Sequence, residues 1–188
     1  MRYRCRLAVL AFCLTALATA RASAQIGVYG MGTGAFLGSQ NAAPGSLLGQ
    51  NGGFSAYGGT FGLYDNLVRL GPLRLGADAR YFQETSSNSS SYGNKMHGGL
   101  IGARLALNLP VFPLKPYVQA EVGGVSTNYG TQPNSVGVFA YQVQGGLDYT
   151  LLPHLDLRAE YGGGTIAAYG GNGRQTLQEA GLGLAVRF

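Results

Sequence analysis

The sequence predicts an all-β protein, namely an eight-stranded antiparallel up-and-down transmembrane β-barrel. Apolar residues alternate with small or charged residues at a period of two along eight segments, which is the pattern of strands with one apolar face. Charged residues make up only 11% of the chain, against about 25% in ordinary soluble proteins. After residue 24 no run of 18 apolar residues occurs, so the sequence offers no transmembrane helix. A secreted soluble β-sandwich is the alternative fold.

The eight segments are long enough to cross a bilayer, because a tilted membrane strand needs about 9–11 residues. The third segment shows the pattern well: Leu73, Leu75 and Ala77 alternate with Arg74 and Gly76. The predicted strands are residues 25–37, 54–64, 73–82, 99–109, 116–127, 136–150, 155–163 and 176–188.

The connections between these strands alternate in length. The longer and more polar ones are residues 38–53, 84–97, 128–135 and 165–175, and the shorter ones are 65–72, 110–113 and 151–154. Membrane barrels show this asymmetry, with long outer loops and short turns on the inner side. An even number of strands also puts both chain ends on the same side. The alternation of longer and shorter connections therefore favours the barrel over the sandwich.

Residues 1–24 resemble a secretory signal peptide, and residues 25–188 form the predicted barrel domain. Three arginines precede an apolar run at residues 7–20, which is too short to span a bilayer, and Ala22-Ser23-Ala24 offers a cleavage site. The segment contains four of the 13 basic residues and none of the 8 acidic ones, so the mature charge is 9 − 8 = +1. This near-neutral charge gives no reason to expect a nucleic-acid partner. Both cysteines also leave with the segment.

The last strand alternates strictly and ends on an aromatic residue. Phe188, Val186 and Leu184 lie on its apolar face, while Arg187 and Glu179 belong to the other face. In this the chain resembles bacterial outer-membrane barrels of the outer-membrane protein A type and the porin family, whose final strand ends in Phe. The resemblance implies an outer-membrane location in a Gram-negative cell. It also implies that Phe188, Val186 and Leu184 form the signal recognised by the β-barrel assembly machinery.

If the apolar faces meet lipid, the charged residues of the opposite faces point into the lumen. An eight-stranded barrel is just wide enough for its own side chains to fill it, and buried charges must then be paired. We therefore expect a structural network of ion pairs that blocks the lumen. Its members are Arg74, Asp78, Arg80, Arg104, Glu121, Asp148, Asp156, Arg158, Glu160, Glu179 and Arg187.

Aromatic residues near the strand ends are expected to form girdles at the two membrane interfaces. Those near the inner ends are Tyr64, Tyr149 and Phe188, and those near the outer ends are Tyr81, Phe139, Tyr141 and Tyr161. The two histidines, His97 at a loop border and His154 in a turn, are too far apart for a shared metal site. The sequence predicts no metal site and no cofactor.

The function expected from these features is that of an integral outer-membrane barrel with a structural or surface-interaction role. Expected partners are outer-membrane lipids and lipopolysaccharide, and the four loops are candidates for binding an extracellular ligand. One alternative is a small porin or solute transporter. A second is a lipid-A-modifying enzyme, because some outer-membrane barrels carry a His-Ser-Glu site on the outer wall. His97 lacks the matching serine two residues on, since Gly98 and Gly99 follow it, so we expect no enzyme activity.

Overall fold

The computed structural model describes residues 26–37, 54–86, 95–109, 112–128, 136–167 and 174–188. They form one sheet of eight antiparallel strands closed into a barrel in sequence order. The strands are β1 (Ile26–Leu37), β2 (Phe54–Leu70), β3 (Leu73–Thr85), β4 (Lys95–Leu107), β5 (Leu114–Asn128), β6 (Val136–Leu152), β7 (Leu155–Ala167) and β8 (Arg174–Arg187). The predicted fold class is thus confirmed. The predicted signal peptide, residues 1–24, lies outside the described residues.

The barrel closes by pairing its first strand with its last. Strands β1 and β8 are in register from the Gly27–Arg187 pair to the Leu37–Leu177 pair. Beyond the ladder, the Phe188 N–H donates to the Ile26 carbonyl oxygen over 2.9 Å. Closure gives every strand two neighbours, so no strand edge is left for lipid to meet.

Several strands continue beyond their predicted ends into polar sequence. Strand β3 includes Glu84, and β4 begins at Lys95 and includes His97, so the predicted 84–97 loop is wrong at both borders. Likewise β7 extends to Ala167 and β8 starts at Arg174 within the predicted 165–175 loop. Cross-strand pairing satisfies the backbone there whatever the side chains are, so polarity alone did not mark the ends of the strands.

Strand β2 also runs further than predicted, through the residues expected to turn. It continues to Leu70 with an irregularity in its pairing to β3 between Asp65 and Val68. The chain reverses at Gly71 and Pro72, where Gly71 has a φ of 62°, a conformation that glycine adopts without steric cost. The bulge adds one residue to β2 relative to β3, which explains why the alternation of apolar and polar residues breaks there.

The two faces of the wall differ sharply, as β4 shows. Ile101 and Leu105 are 61% and 41% exposed on the outside, whereas Leu100 and Arg104 are 3% and 2% exposed on the inside. Apolar outward side chains recur on all eight strands, which matches a lipid-facing belt. Within the described ranges, the chain has no helix long and apolar enough to cross a bilayer.

The inside of the barrel is divided along its axis. At the end near the long connections, eight inward side chains form an apolar cluster: Ala35, Phe82, Met96, Leu100, Val125, Ala140, Ile166 and Leu177. Towards the short turns the interior is charged and aromatic. We refer to the eight residues as the outer apolar layer; this layer was not expected from the sequence.

Candidate functional site: the filled lumen

The centre of the lumen is an arginine-carboxylate cluster built on β4, β6 and β7. Arg158, which is fully buried, donates from Nε and Nη2 to the two carboxylate oxygens of Asp148 over 2.8 and 2.9 Å. Arg104 donates from Nη2 to Asp148 Oδ2 over 2.8 Å. One carboxylate therefore serves two guanidinium groups, and the planar fork of Arg158 matches it in a bidentate pair.

Three buried tyrosine rings surround the same two guanidinium groups. The central carbon of Arg104 lies 4.0 Å from the ring centre of Tyr64 and 3.8 Å from that of Tyr117. The central carbon of Arg158 lies 4.2 Å from the Tyr29 ring centre and within 5.0 Å of the other two rings. Cation–π attraction of about 2 kcal/mol at a desolvated site thus offsets part of the cost of the second positive charge that Asp148 does not balance.

Each of these tyrosines fits inside because a glycine stands directly opposite it on the next strand. Tyr29 lies opposite Gly62, Tyr64 opposite Gly27, and Tyr117 opposite Gly146. A Cβ atom at any of these glycines would lie 2.2–2.4 Å from the tyrosine ring. The glycines make room for the rings, which then fill the width of the barrel.

A second cluster is centred on Arg80 of β3. Its Nε lies 3.0 Å from a Glu121 oxygen and its Nη1 lies 3.0 Å from a Glu160 oxygen. Asp78 is 3.6 Å away and accepts a 2.7 Å hydrogen bond from the Tyr29 hydroxyl. Arg80 also donates to Gln144, and the Tyr117 hydroxyl donates to Glu160. The tyrosine hydroxyls thereby link the two clusters into one network.

A third cluster closes the lumen near the short turns. Both oxygens of Asp156 are paired: Arg187 Nε lies 2.6 Å from Oδ2 and Lys115 Nζ lies 3.2 Å from Oδ1. Arg187 also donates to the Pro153 carbonyl oxygen over 3.1 Å. Lys115 lies just outside the predicted strand 116–127, whereas the structure makes it part of β5 with its ammonium group directed at a lumen carboxylate.

The carboxylates nearest the outer apolar layer are held differently. Glu179 accepts hydrogen bonds from Thr60 and from Gln142, each over 3.2 Å. Glu84 is 1% exposed, and among the described residues neither of its carboxylate oxygens has a hydrogen-bond partner. Glu84 was assigned to a loop in the sequence, and the structure shows it on the inner face of β3 beside Phe82 of the apolar layer.

Arg74 lies apart from these clusters, at the inner end of β3. It is paired across the strands with Arg69 of β2, and its Nε has no hydrogen-bond partner within the described part of the chain. The other ten residues expected in the lumen are buried or partly buried on the inner face.

Charge is therefore distributed unevenly along the lumen. Towards the short turns, four cations (Arg104, Arg158, Lys115 and Arg187) lie beside two carboxylates, Asp148 and Asp156, and Arg158 also lies 3.8 Å from a Glu160 oxygen. Further out, Arg80 is the positive partner of Asp78, Glu121 and Glu160, with Glu84 and Glu179 beyond it. The described interior is positive at its inner end and negative towards its outer end.

Sequence reasoning missed the aromatic part of this site. Tyr29 lies in a segment where glycines occupy many positions, so alternation does not indicate which way it faces. Tyr64 was expected in an interfacial girdle. The structure buries both rings, at 2% exposure each. The expectation that Tyr64 belongs to a girdle is thus wrong, because its side chain points into the lumen. The alternation could have shown this, since Phe61 and Leu63 lie at the alternate positions of the same strand and point outward. By contrast, Tyr81, Phe139, Tyr141, Tyr149, Tyr161 and Phe188 are exposed on the outer wall or at the barrel end.

The histidines lie outside the lumen. His97 faces outward on β4, directly opposite Ser126 of β5 and Gln83 of β3. His154 occupies the turn between β6 and β7, where its Nδ1 lies 3.1 Å from the Arg187 carbonyl oxygen. A serine does therefore face His97, although it comes from the next strand rather than from two residues on.

Comparisons with known proteins agree with this architecture. Among solved structures, Neisserial surface protein A is similar with a TM-score of 0.67 and 19% identity, covering 88% of this chain and 99% of that one. Ail, the attachment invasion locus protein of Yersinia pestis, is similar with a TM-score of 0.55 and 13% identity, again covering 88% and 99%. A comparison with curated sequences finds no match. The model of the outer membrane protein beta-barrel domain family matches residues 7–188, and the chain therefore belongs to that family of outer-membrane barrels.

Proposed function

We propose that this barrel is a non-conducting membrane scaffold that displays its long connections at the cell surface. The observation that carries the proposal is the double closure of the lumen. The network around Arg158 and Arg80 fills the middle, and the outer apolar layer fills the end near the long connections. A water path would have to break buried ion pairs and wet an apolar layer, and removing a partner from one buried pair alone costs about 3–5 kcal/mol.

The surface role rests on the lengths of the connections and on the names of the similar structures. At one end of the barrel the strands are joined by residues 38–53, 86–94, 129–135 and 168–173, and at the other end by residues 71–72, 108–113 and 153–154. The first three of the four are longer than any connection at the other end, and the fourth equals 108–113 in length. One similar structure is named a surface protein and another an attachment invasion protein. We infer that the four connections make the contacts with the surroundings and that the barrel supplies a rigid base.

Export and assembly complete the proposal. Residues 1–24 direct export and are removed, and the assembly machinery recognises the last strand through Phe188, Val186 and Leu184. The exposure of these three side chains on the outer wall, 75% for Phe188, supports a recognition that acts before lipid covers them.

The porin alternative predicts steady currents, so conductance separates it from the scaffold. The chain from residue 25 is reconstituted into planar bilayers, with insertion checked in the same preparation by a gel that separates folded from boiled protein. We expect no stable single-channel current. Large, steady currents from the unmodified chain would overturn the scaffold proposal in favour of a solute pathway.

The display part of the proposal is tested by epitope tags in matched positions. A tag within residues 38–53 should bind antibody on intact cells, whereas a tag between Gly71 and Pro72 should bind only after the outer membrane is permeabilised. Labelling of the second tag on intact cells would mean that the barrel is inserted the other way round.

We propose no catalytic role. A serine hydrolase needs a carboxylate or similar group to orient its histidine. The neighbours of His97 on the outer wall are Gln83 and Ser126 across the strands and Lys95 and Gly99 along its own strand, and none of the four carries a carboxylate. Purified protein should release no fatty acid from lipid A, and loss of an observed activity on His97→Ala would contradict this proposal.

A further inference from the structure

The outer wall of the barrel has a depression where two facing strands lack side chains. Gly99 of β4 lies directly opposite Gly124 of β5, and both face outward. A Cβ atom at Gly124 would meet no atom within 4 Å, and one at Gly99 would meet only the Arg80 carbonyl oxygen at 3.9 Å. The depression has a volume of about 650 Å³ and is wide open on its outward side, so a molecule held there would keep contact with the surrounding lipid.

Protruding side chains border this depression on three sides. Tyr81 pairs with Gly99 on one side and Phe139 pairs with Gly124 on the other, and these rings are 48% and 60% exposed. The two ring-bearing strands are three strand spacings apart, about 14 Å. Ile101 and Val122, also outward and paired, are the next outward side chains towards the middle of the membrane. We call this feature the glycine groove, formed by Tyr81, Gly99, Gly124 and Phe139 with Ile101 and Val122 at its base.

The fourth side, towards the long connections, is polar. His97 and Ser126 are the next outward pair above the two glycines, and Gln83 lies beside His97. Lys95 is the next outward residue above His97 at the start of β4, and it is exposed. The groove thus changes from hydrocarbon-like to hydrogen-bonding and positively charged within four residues of β4.

We propose that the glycine groove binds one acyl chain of a phosphorylated glycolipid of the lipid A class in the outer leaflet. The chain lies over Gly99 and Gly124, between the rings of Tyr81 and Phe139. Its ester or amide linkage reaches His97 and Ser126, which offer hydrogen bonds, and the phosphate lies near the ammonium group of Lys95. The change in polarity places the groove at the level where acyl chains meet headgroups, because aromatic side chains concentrate at that interface.

Shape and charge, rather than hydrophobicity, account for this binding. An acyl chain in a bilayer is already surrounded by hydrocarbon, so moving it onto the barrel gains little from leaving water. What it gains is contact with a floor into which it fits, and a cation for its phosphate. Binding therefore depends on the two glycines remaining without side chains and on Lys95 remaining charged.

The inference goes beyond the proposed scaffold function and does not depend on it. The lumen could conduct and the groove could still hold lipid, since the groove lies on the other side of the wall. It rests only on the outward direction of these strand faces and on the outer-membrane location of the family.

The test uses the chain from residue 25, folded in detergent, with purified lipid A as the probe. Native mass spectrometry counts the protein that retains one lipid molecule. The groove-filling variant is Gly99→Leu with Gly124→Leu, and Gly124→Leu alone serves if the double variant does not fold. The control is Gly145→Leu on β6, another outward glycine, where a Cβ atom meets only the Tyr161 carbonyl oxygen at 4.0 Å.

We expect the unmodified chain and the Gly145→Leu control to retain one lipid A, and the groove-filling variant to bind about tenfold more weakly, equivalent to about 1.4 kcal/mol. Lys95→Gln should remove the preference for lipid A over the same lipid without its phosphates. Equal retention by the groove-filling variant and the unmodified chain would overturn the proposal. So would equal retention of lipid A and phosphatidylglycerol by the unmodified chain, because the groove would then hold any acyl lipid.

Discussion

Gly62 on β2 lies directly opposite Tyr29 on β1, and a Cβ atom at position 62 would lie 2.4 Å from the Tyr29 ring. Replacing Gly62 with Ala should therefore push the ring off Arg158, whose guanidinium carbon lies 4.2 Å from the ring centre. We expect the free energy of unfolding to fall by about 1–3 kcal/mol, as for other overpacked interiors. Urea unfolding in lipid vesicles measures it.

The matched control for Gly62 is Gly32→Ala on β1. Gly32 faces outward, and its nearest neighbour to an added Cβ is the Leu182 carbonyl oxygen at 4.0 Å. Alanine is a better strand residue than glycine in an open position, so this variant should be neutral or slightly stabilising. Equal changes in the free energy of unfolding for the two substitutions would show that the Tyr29 ring is not tightly packed against position 62.

Among the lumen carboxylates, Asp148 should be the one whose neutralisation lowers the free energy of unfolding most. Asp148→Asn leaves the buried guanidinium groups of Arg104 and Arg158 without their shared negative charge. We expect a loss of about 3–5 kcal/mol in the free energy of unfolding. Arg158 keeps Glu160 at 3.8 Å, whereas the ion pair of Arg104 is with Asp148. Adding Arg104→Met therefore removes the charge that has lost its partner and should recover part of the loss. A double variant no more stable than Asp148→Asn would mean that the two arginines do not compete for one carboxylate.

For Glu84, in contrast to Asp148, we expect a substitution that removes the charge to stabilise the barrel. Its carboxylate is buried beside the outer apolar layer, and neither oxygen is hydrogen-bonded to a described residue. Among the described residues no cation lies beside Glu84, so Glu84→Gln should be more stable than the unmodified chain at alkaline pH, where the buried carboxylate has to be ionised, by about 1–3 kcal/mol. Glu160→Gln is the control, because Glu160 pairs with Arg80 at 3.0 Å and its neutralisation should destabilise. Destabilisation by both substitutions to the same degree would reveal a counter-charge at Glu84.

Phe188 separates assembly from stability. Its backbone N–H extends the pairing to β1, and its side chain is 75% exposed at the barrel end. Phe188→Ala keeps the backbone bond, so the purified variant should unfold at nearly the same urea concentration as the unmodified chain. In cells, the amount of folded protein in the outer membrane should drop severalfold. A normal yield in the membrane would remove Phe188 from the assembly signal.

The sequence predicts well which face of a strand each side chain lies on. It does not predict which residue of the adjacent strand lies opposite. Alternation assigns Leu105 to lipid and Arg104 to the lumen because a strand turns successive side chains to opposite sides. It does not give the stagger between strands, and the stagger decides that Tyr117 meets Gly146 and that Arg158 meets Asp148. The cross-strand tyrosine–glycine pairs could therefore not be predicted, since they depend on which residue of the next strand lies opposite.

The predicted ends of the strands were wrong for a different reason. Glu84 and His97 are polar, and polarity was taken as a mark of a loop. A barrel wall can continue past the hydrocarbon, because the neighbouring strands satisfy its backbone and polar side chains are then accepted on both of its faces, as with Glu84 inside and His97 outside. The lipid-facing pattern thus reports where the membrane is, and the wall extends beyond it.

The outer apolar layer also bears on how the lumen charges respond to salt. Its eight side chains lie between the long connections and the ion pairs around Arg80 and Arg158. A counter-ion that approached from this end would have to leave water to pass them, which costs several kcal/mol. The lumen charges are therefore balanced by one another rather than by dissolved ions, and added salt should change the stability of the barrel little.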